Sequence, residues 1–162
     1  MKLKGEKAVV CGAGGFIGGH LVQSLLDNGV EVIRAVDIKP LDDWYQASSD
    51  VENLSLDLQD KDNCLQAATG ANVIFQLAAD MGGMGFIENN KALCMLSVLT
   101  NTHMLVAARD KGVERFFYSS SACVYNGEKQ TNPNVVALKE SDAYPALPED
   151  GYGWEKLFSE RM

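Results

Sequence analysis

Apolar and polar residues alternate along the chain in blocks that predict strands and helices in turn. The continuous apolar run Lys7–Cys11 is typical of a strand that is buried on both faces. Residues 16–28 follow with apolar side chains on one helical stripe, and Gly29 stands where such a helix would end. The same reasoning predicts strands over residues 31–36, 53–56, 72–77 and 114–119, and helices over residues 61–68 and 90–111.

This order of elements predicts an α/β fold of the Rossmann type, with a doubly wound, mostly parallel sheet and helices on both faces. With 162 residues, 46% of them apolar and 22% charged, the chain is expected to form one domain over residues 1–162. No internal repeat is visible. Residues 125–150 are polar and contain three of the four prolines, so we expect a long functional loop there.

Charge and cysteine content narrow the classes of function. A net charge of −8 and a pI near 4.7 argue against a protein that binds nucleic acid regardless of sequence, because such a protein needs a basic face. With no signal peptide and no long apolar run evident, no membrane association is expected. Four scattered cysteines without CxxC spacing and only two histidines predict reduced thiols in a cytoplasmic protein, and no metal site.

Three regularly spaced glycines lie between the first strand and the first helix. Gly12 suits the tight turn, Gly15 lets the backbone approach a pyrophosphate, and Gly18 lets helix and strand pack closely. The pyrophosphate is then expected at the first helical turn, with Phe16 and Ile17, where free N–H groups and the positive end of the helix dipole meet. An ordinary glycine-rich turn is the alternative.

Asp37 stands at the end of the second strand, 19 residues after Gly18. Its carboxylate is predicted to accept hydrogen bonds from the adenosine ribose and to repel a 2′-phosphate, which favours NAD over NADP. Lys39 nearby would soften that preference, and an exposed acid at a strand end is the alternative. Asp57 and Leu58, at the end of the third strand, are a candidate adenine contact, with a bare turn acid as the alternative.

A tyrosine and a lysine near the end of the chain form a second group. Tyr152 and Lys156 are four residues apart and so share one helix face, although YxxxK also occurs by chance. With the serines at the end of the fifth strand, the glycines and Asp37, this pair resembles the extended short-chain dehydrogenase/reductase superfamily. The resemblance implies that Tyr152 transfers a proton, that Lys156 holds the nicotinamide ribose and lowers the pKa of Tyr152, and that Ser121 binds the reacting sugar oxygen.

Three further segments indicate one family within this superfamily. Residues 78–86 read AADMGGMGF, residues 121–125 read SACVY and residues 139–142 read KESD. Over residues 8–162 the chain resembles the GDP-mannose 3,5-epimerase family of NAD-dependent epimerases and dehydratases. The implied NAD contacts are Ala78 and Ala79, and the implied sugar contacts are Met81, Gly82, Gly83, Gly85, Ser120, Ser121, Ala122 and Cys123. A merely flexible loop before a helix is the alternative for the glycine-rich run.

Cys123 distinguishes this chemistry from that of related families. The resemblance implies that Cys123 exchanges a proton at a sugar carbon, opposite a lysine further along the chain. Its pKa is expected to fall beside Lys156 and the nicotinamide cation. A small buried thiol is the alternative. Sugar-nucleotide dehydratases usually carry an acidic pair where this chain has Ala122 and Cys123, which counts against dehydration.

The implied reaction has no net redox change. Tyr152 removes the C4 hydroxyl proton while hydride passes to NAD, which leaves a ketone at C4. The ketone acidifies the hydrogens at C3 and C5, and Cys123 and a partner residue exchange them. Hydride then returns from NADH to C4. GDP-mannose is the implied substrate, although no residue by itself identifies the guanine or the sugar. A UDP-hexose 4-epimerase, a dehydratase and a non-catalytic NAD-binding module stay open as alternatives.

Members of the resembled family continue well past the YxxxK helix into a substrate domain that this sequence, ending at Met162, largely lacks. We therefore expect a truncated sequence that is inactive by itself, and an intact protein that forms a homodimer. Trp154, Leu157 and Phe158 are expected to expose an apolar face of the last helix, and such a surface promotes association.

Overall fold

A computed structural model describes residues 3, 5–80, 82–131, 134 and 137–162, with only the backbone of residue 84. Within these residues, the strands are β1 Lys7–Cys11, β2 Val32–Asp37, β3 Glu52–Ser55, β4 Val73–Gln76 and β5 Arg115–Tyr118. The helices are α1 Phe16–Asp27, α2 Lys61–Ala68, α3 Met84–Asn89, α4 Lys91–Asp110 and α5 Asp150–Arg161. Short 3-10 turns cover Leu41–Asp43, Ala122–Val124, Gly127–Gln130 and Glu140–Ala143.

The strands form one parallel sheet in the order β3-β2-β1-β4-β5. At the centre, Cys11 of β1 lies opposite Val36 on one side and Gln76 on the other. Parallel strands end at the same edge of a sheet, so the segments that follow β1, β2 and β4 begin side by side. This is the strand order of a Rossmann half, and the predicted fold class is confirmed.

Contacts within the described chain divide it into two compact units. The sheet unit comprises Met1–Ala79 and Leu99–Ser119, and the helical unit comprises Asp80–Val98 and Ser120–Met162. Residues of α4 contribute to both units. Each unit is internally packed, and the single domain over residues 1–162 that the sequence predicts stays a prediction.

Side chains of β1 alternate between two hydrophobic layers of the sheet unit. Val9 and Cys11 belong to a cluster that includes residues of α2 and of the second half of α4. Ala8 and Val10 belong to a cluster that includes residues of α1. Because neighbours along a strand point to opposite faces, α1 covers one face of the sheet and α2 with α4 covers the other.

Arg34 is a buried cation that ties together β2, β3 and α2. Its guanidinium donates two hydrogen bonds to the Glu52 carboxylate, at 2.9 and 3.2 Å. Its Nη1 donates to the carbonyls of Gln66, Ala67 and Thr69 at the end of α2. The end of a helix carries unsatisfied carbonyls and partial negative charge, so one arginine both caps α2 and is neutralised. Hydrogen bonding to Arg34 also lowers the pKa of Glu52.

The turn between β1 and α1 leaves no room for two side chains. Gly12 has a φ of +82°, and a Cβ added there would lie 2.9 Å from the backbone nitrogen of Ala78. A Cβ added to Gly18 would overlap the carbonyl oxygen of Gly12. The left-handed φ and the backbone contact restrict position 12 to glycine, and the backbone contact alone restricts position 18. The structure thus shows the tight turn and the close packing that the glycine spacing predicts.

Two small hydrophobic clusters hold the helical unit together. The first contains Ile87, Cys94, Tyr152 and the partly buried Cys123. The second contains Val124, Ala143 and Leu157, with Tyr125 packed against it. The expectation that Leu157 shares an exposed apolar face with Trp154 and Phe158 is wrong, since Leu157 is 5% exposed and the other two are 45% and 53% exposed. Leu157 is buried because its side chain packs into the second cluster.

Some boundaries differ from the prediction. The sequence predicts a loop across residues 78–86, but α3 begins at Met84, directly after the extended N-cap residue Gly83. Residues 125–150 are interrupted by two 3-10 turns. β2 runs one residue further than predicted and includes Asp37.

By length and composition alone, α4 is apolar enough to cross a membrane, with a mean hydropathy of 1.2 over its most apolar window. Core helices of globular domains meet the same test. Four of its residues, Cys94, Met104, Ala107 and Ala108, are buried in the hydrophobic clusters described above. Packing within the fold therefore accounts for part of the apolar composition of α4, while Leu93 and Leu96 are exposed.

Gly18→Ala should destabilise the fold. The added methyl group would overlap the Gly12 carbonyl, and overpacking of this kind costs about 1–3 kcal/mol of unfolding free energy. Urea denaturation followed by circular dichroism measures the change. Gly85→Ala in α3 is the matched control, because a Cβ there meets nothing within 4 Å. Equal stability of the Gly18 variant and the wild type would contradict the close approach of α1 to β1.

Candidate functional site

The first turn of α1 is suited to binding an anion. Its N-cap residue is Gly15, which has no side chain with which to cap the helix. The first N–H groups of a helix have no partner within the helix, and they carry its positive partial charge. Phe16 and Ile17 in this turn are 60% and 69% exposed, so the turn is accessible. Backbone N–H groups in this arrangement bind phosphate.

The Asp37 carboxylate lies beside this glycine turn. It accepts hydrogen bonds from the backbone N–H groups of Gly14 at 2.9 Å and Lys39 at 3.1 Å. A carboxylate offers about four acceptor positions, so capacity for ribose hydroxyls is left. A Cβ on Gly14 would lie 2.9 Å from Cγ of Asp37. Trp44 is as close, with Cδ1 at 2.8 Å, so Gly14 is a position that the 12, 15, 18 spacing missed and that only the packing reveals.

Other predicted cofactor residues also lie near the ends of strands. Asp57 is exposed, and its carboxylate accepts a hydrogen bond from the backbone N–H two residues further on. Leu58 is 4% exposed and packs in the core. The Leu58 side chain is therefore too buried to contact adenine. Contacts from Asp57 and from the backbone of Leu58 stay predictions. Ala78 and Ala79 are half-buried, and Ala78 lies against Gly12.

The helical unit brings together the four residues predicted to be catalytic. Tyr152 is 5% exposed, packs with Cys123 and hydrogen-bonds with Ser121. Ser121 Oγ in turn accepts a hydrogen bond from the Cys123 backbone N–H at 3.2 Å. Lys156 is 3% exposed, and its Nζ lies 5.5 Å from the centroid of the Tyr152 ring. A phenol, a hydroxyl, a thiol and an amine thus share one small region of this unit.

Burial shifts both members of the Tyr–Lys pair. It raises the pKa of Tyr152, and the hydrogen bond with Ser121 opposes this rise. It lowers the pKa of Lys156, and the Glu155 carboxylate opposes this fall. The lowered tyrosine pKa implied by the resemblance is not found, because loss of solvent outweighs the other influences on the phenol. Both shifts favour the neutral forms, as removal from water does in general.

Cys123 is held in its protonated form. Burial raises the pKa of the thiol, a hydrogen bond with Ser121 lowers it, and the Glu149 carboxylate raises it further. In the chain by itself, desolvation and a nearby negative charge both disfavour the thiolate. The fall in this pKa that is expected beside Lys156 and the nicotinamide cation stays a prediction. A neutral thiol is suited to delivering a proton to a carbanion.

Two glycines on either side of Tyr152 allow α5 to approach its neighbours. A Cβ on Gly153 would overlap the carbonyl oxygen of Cys123, and one on Gly151 would lie 2.7 Å from a backbone oxygen of α4. Glu149 donates its backbone N–H to the same Cys123 carbonyl at 2.9 Å. Sequence reasoning missed these positions. The Gly-Tyr-Gly pattern was the available signal, but only the packing shows its purpose.

The predicted sugar-binding glycines lie at the start of α3. A Cβ on Gly82 would lie 2.8 Å from Cβ of Phe86, so that position needs glycine. Gly83 is the N-cap of α3 and Gly85 is exposed in its first turn. Met81 lies outside the described residues. The predicted loop is shorter than expected because α3 begins at Met84, and Gly82 packs closely against Phe86 just before this helix.

The remaining predicted sugar contacts follow β5. Ser120 Oγ is buried and makes no hydrogen bond among the described residues, which makes it a candidate partner for a ligand hydroxyl. Ala122 is exposed. In the part of the chain that the structure describes, no group of three or more His, Cys, Asp or Glu side chains is placed to hold a metal ion. The four cysteines are free thiols.

Comparisons with known proteins agree with this geometry. The model of the NAD dependent epimerase/dehydratase family matches residues 8–162. GDP-mannose 3,5-epimerase 1 of Oryza sativa subsp. japonica is 44% identical over 160 residues, covering 94% of this chain and 40% of the relative. GDP-mannose 3,5-epimerase of Arabidopsis thaliana is 42% identical over 163 residues, covering 96% of this chain and 41% of the relative. The chain thus spans about two-fifths of the length of these relatives.

A solved structure of MoeE5 in complex with UDP-glucose and NAD has the same fold, with a TM-score of 0.73 and 30% identity. The match covers 96% of this chain and 47% of that one. Sequence and fold therefore point to one assignment across nearly the whole chain: it belongs to the NAD dependent epimerase/dehydratase family.

Proposed function

We propose that this chain is the cofactor-binding and catalytic-tyrosine part of a GDP-mannose 3,5-epimerase. The observation that carries the proposal is the buried packing of Tyr152 with Cys123. A phenol serves proton transfer at a sugar hydroxyl, and a thiol serves proton exchange at a sugar carbon. The identities of 44% and 42% to two GDP-mannose 3,5-epimerases support a GDP-hexose as substrate.

The glycine turn of the sheet unit fits NAD. Gly12 and Gly18 let α1 start directly against the end of β1, and the first turn of α1 offers N–H groups that no side chain caps. The residues that would hold the adenosine diphosphate part are Gly12, Gly15, Phe16, Ile17, Gly18 and Asp37. When bound, NAD supplies a reversible hydride acceptor for C4 of the sugar.

Tyr152 takes the proton of the C4 hydroxyl as that carbon becomes a carbonyl, and returns it in the last step. Ser121 holds the same sugar oxygen by a hydrogen bond. Lys156 in its charged form stabilises the phenolate, and it would hold the nicotinamide ribose. A free phenol has a pKa of about 10, so stabilisation of the phenolate is needed for rapid proton transfer near neutral pH.

Cys123 acts at carbon. A carbonyl at C4 makes the hydrogens at C3 and C5 acidic, because the carbanion is stabilised as an enolate. The neutral Cys123 thiol gives its proton to one face of the enolate carbon, and the resulting thiolate takes a proton back in the reverse direction. The Glu149 carboxylate raises the pKa of this thiol and thereby favours the form from which proton delivery starts. A second acid–base residue is proposed on the opposite face of the sugar.

We also propose that the intact protein is a homodimer. In the helical unit, Trp154 and Phe158 of α5 are 45% and 53% exposed, and Leu93 and Leu96 of α4 are 39% and 46% exposed. Residues three or four apart share a helix face, so each pair forms an apolar stripe. Apolar surface of this kind is typical of a face that meets another protein.

Asp37 should determine the choice of cofactor. The protein is expected to bind NAD at least about tenfold more tightly than NADP, or about 1.4 kcal/mol, because the carboxylate repels a 2′-phosphate. Asp37→Asn should bring the two affinities together, as measured by isothermal titration calorimetry. Asp57→Asn is the matched control and should leave the ratio unchanged. Equal affinities in the wild type would show that Asp37 does not bind the ribose.

Cys123→Ala should separate the two stages of the reaction in the active protein. Oxidation at C4, seen as NADH absorbance with GDP-mannose, should persist, because Tyr152 performs that stage. Deuterium uptake from heavy water at C3 and C5, read by mass spectrometry, should fall by at least about 100-fold, the contribution of a positioned acid–base group.

Two controls accompany this experiment. Tyr152→Phe should abolish both NADH formation and deuterium uptake. Cys94→Ala removes another thiol that packs with Tyr152 and should preserve deuterium uptake. Deuterium uptake at the wild-type rate in Cys123→Ala would show that Cys123 only packs the core. NADH formation without deuterium uptake in the wild type would reduce the function to that of a 4-epimerase. Cofactor binding without NADH formation or deuterium uptake in the wild type would instead indicate a non-catalytic NAD-binding module.

Trp154→Ser combined with Phe158→Ser should weaken the homodimer. The exposed side chains of α5 would lose their apolar contacts across the interface, so the dimer dissociation constant should rise by at least about tenfold. Sedimentation velocity over a concentration series measures this constant. Phe117→Ser is the control, since Phe117 is 51% exposed but lies on β5 in the sheet unit. A dimer of unchanged strength in the double variant would contradict the proposed interface.

A further inference from the structure

A carboxylate lies completely buried beside the catalytic lysine. Glu155 has no exposed surface, and its Oε2 is 3.9 Å from Nζ of Lys156, which is itself almost fully buried. Glutamate is rarely found fully buried unless a partner compensates for the lost hydration of its charge. The position of this side chain therefore calls for a specific role.

The Glu155 carboxylate is fixed in place. Ser159, one turn further along α5, donates a hydrogen bond from Oγ to Oε1 at 3.0 Å, and this bond is also buried. The other carboxylate oxygen is the one nearer the Lys156 ammonium. A single carboxylate thus bridges a helix-internal hydrogen bond and the charge of Lys156.

The charge of Glu155 acts on three of the titratable groups in this region. It favours the protonated forms of Lys156 and Tyr152 on its own helix and of Cys94 on α4. Cys123, in the turn after β5, is influenced instead by Glu149. Only for Lys156 is the protonated form the cation, and desolvation works against that cation. Keeping Lys156 charged is therefore the effect of the buried Glu155 carboxylate that serves proton transfer.

We propose that Glu155 is a positioning residue that keeps Lys156 charged and holds its ammonium over the Tyr152 ring. The proposal rests on the proposed roles of Tyr152 and Lys156 in proton transfer. A lysine at this depth without a nearby carboxylate would lose its proton more readily, since burial disfavours the charged form. A neutral amine could not stabilise a phenolate.

The test measures the protonation of Lys156 itself. Lysine labelled with ¹³C at Cε is titrated by NMR, and the Lys156 signal is assigned by its loss in Lys156→Met. Glu155→Gln should lower the pH at which Lys156 is half protonated by about one unit or more, a tenfold shift in the equilibrium. Glu155→Asp, which keeps the charge but draws it back by one methylene group, should give an intermediate midpoint.

Glu160→Gln is the matched control, because Glu160 is exposed on the same helix and should leave the midpoint unchanged. An unchanged Lys156 midpoint in folded Glu155→Gln would overturn the proposal and leave Glu155 a purely structural residue. Should that variant not fold, as judged by its amide spectrum, Glu155→Asp decides, since its midpoint must lie below that of the wild type. The titration needs neither cofactor nor turnover, so failure of the proposed epimerase activity would be seen separately.

Discussion

The close approach of α1 to the end of β1 is the constraint on which the cofactor-binding region depends. A side chain at Gly18 would overlap the Gly12 carbonyl, so the helix can begin directly over the strand end only because both residues are glycine. This approach leaves the first turn of α1 accessible beside the glycine turn that links β1 to α1. It also places Gly14 where its N–H donates to Asp37. The backbone contact between Gly18 and Gly12 therefore positions both groups that suit a dinucleotide, which are the first N–H groups of α1 and the Asp37 carboxylate.

The helical unit uses the same device. Gly153 lets α5 pack against the Cys123 carbonyl, and this contact brings the Tyr152 phenol and the Cys123 thiol into one cluster. A larger residue at position 153 would separate α5 from the turn after β5. Close backbone packing thus determines which functional groups can meet, while the hydrophobic neighbours of Tyr152 determine how strongly they are desolvated.

Desolvation acts on all three of the proposed catalytic groups Tyr152, Cys123 and Lys156. Tyr152 and Cys123 hold their protons more strongly than in water, and Lys156 holds its proton less strongly. Neutral groups of this kind transfer protons readily only if the charge that forms during transfer is stabilised. The Glu155 carboxylate and the Ser121 hydroxyl are therefore as important to the proposal as Tyr152 and Cys123. This arrangement agrees with proton transfers coupled to a temporary oxidation of a sugar. In the proposed reaction, charge develops on the phenol oxygen and on an enolate.

The sequence by itself determined the fold class, because a continuous apolar run and a helical stripe bury different faces and can be told apart by their period. It also located the glycine turn, Asp37 and the Tyr–Lys spacing, which are local patterns. Only the tertiary structure decided that Leu157 is buried, that the thiol of Cys123 is held protonated, and that Glu155 accompanies Lys156. The physical reason lies in α5, of which more than half of the residues are buried. Its polar residues Glu155, Lys156 and Ser159 lie inside the protein, where periodicity would place them in solvent. Their properties depend on groups that lie far away along the chain.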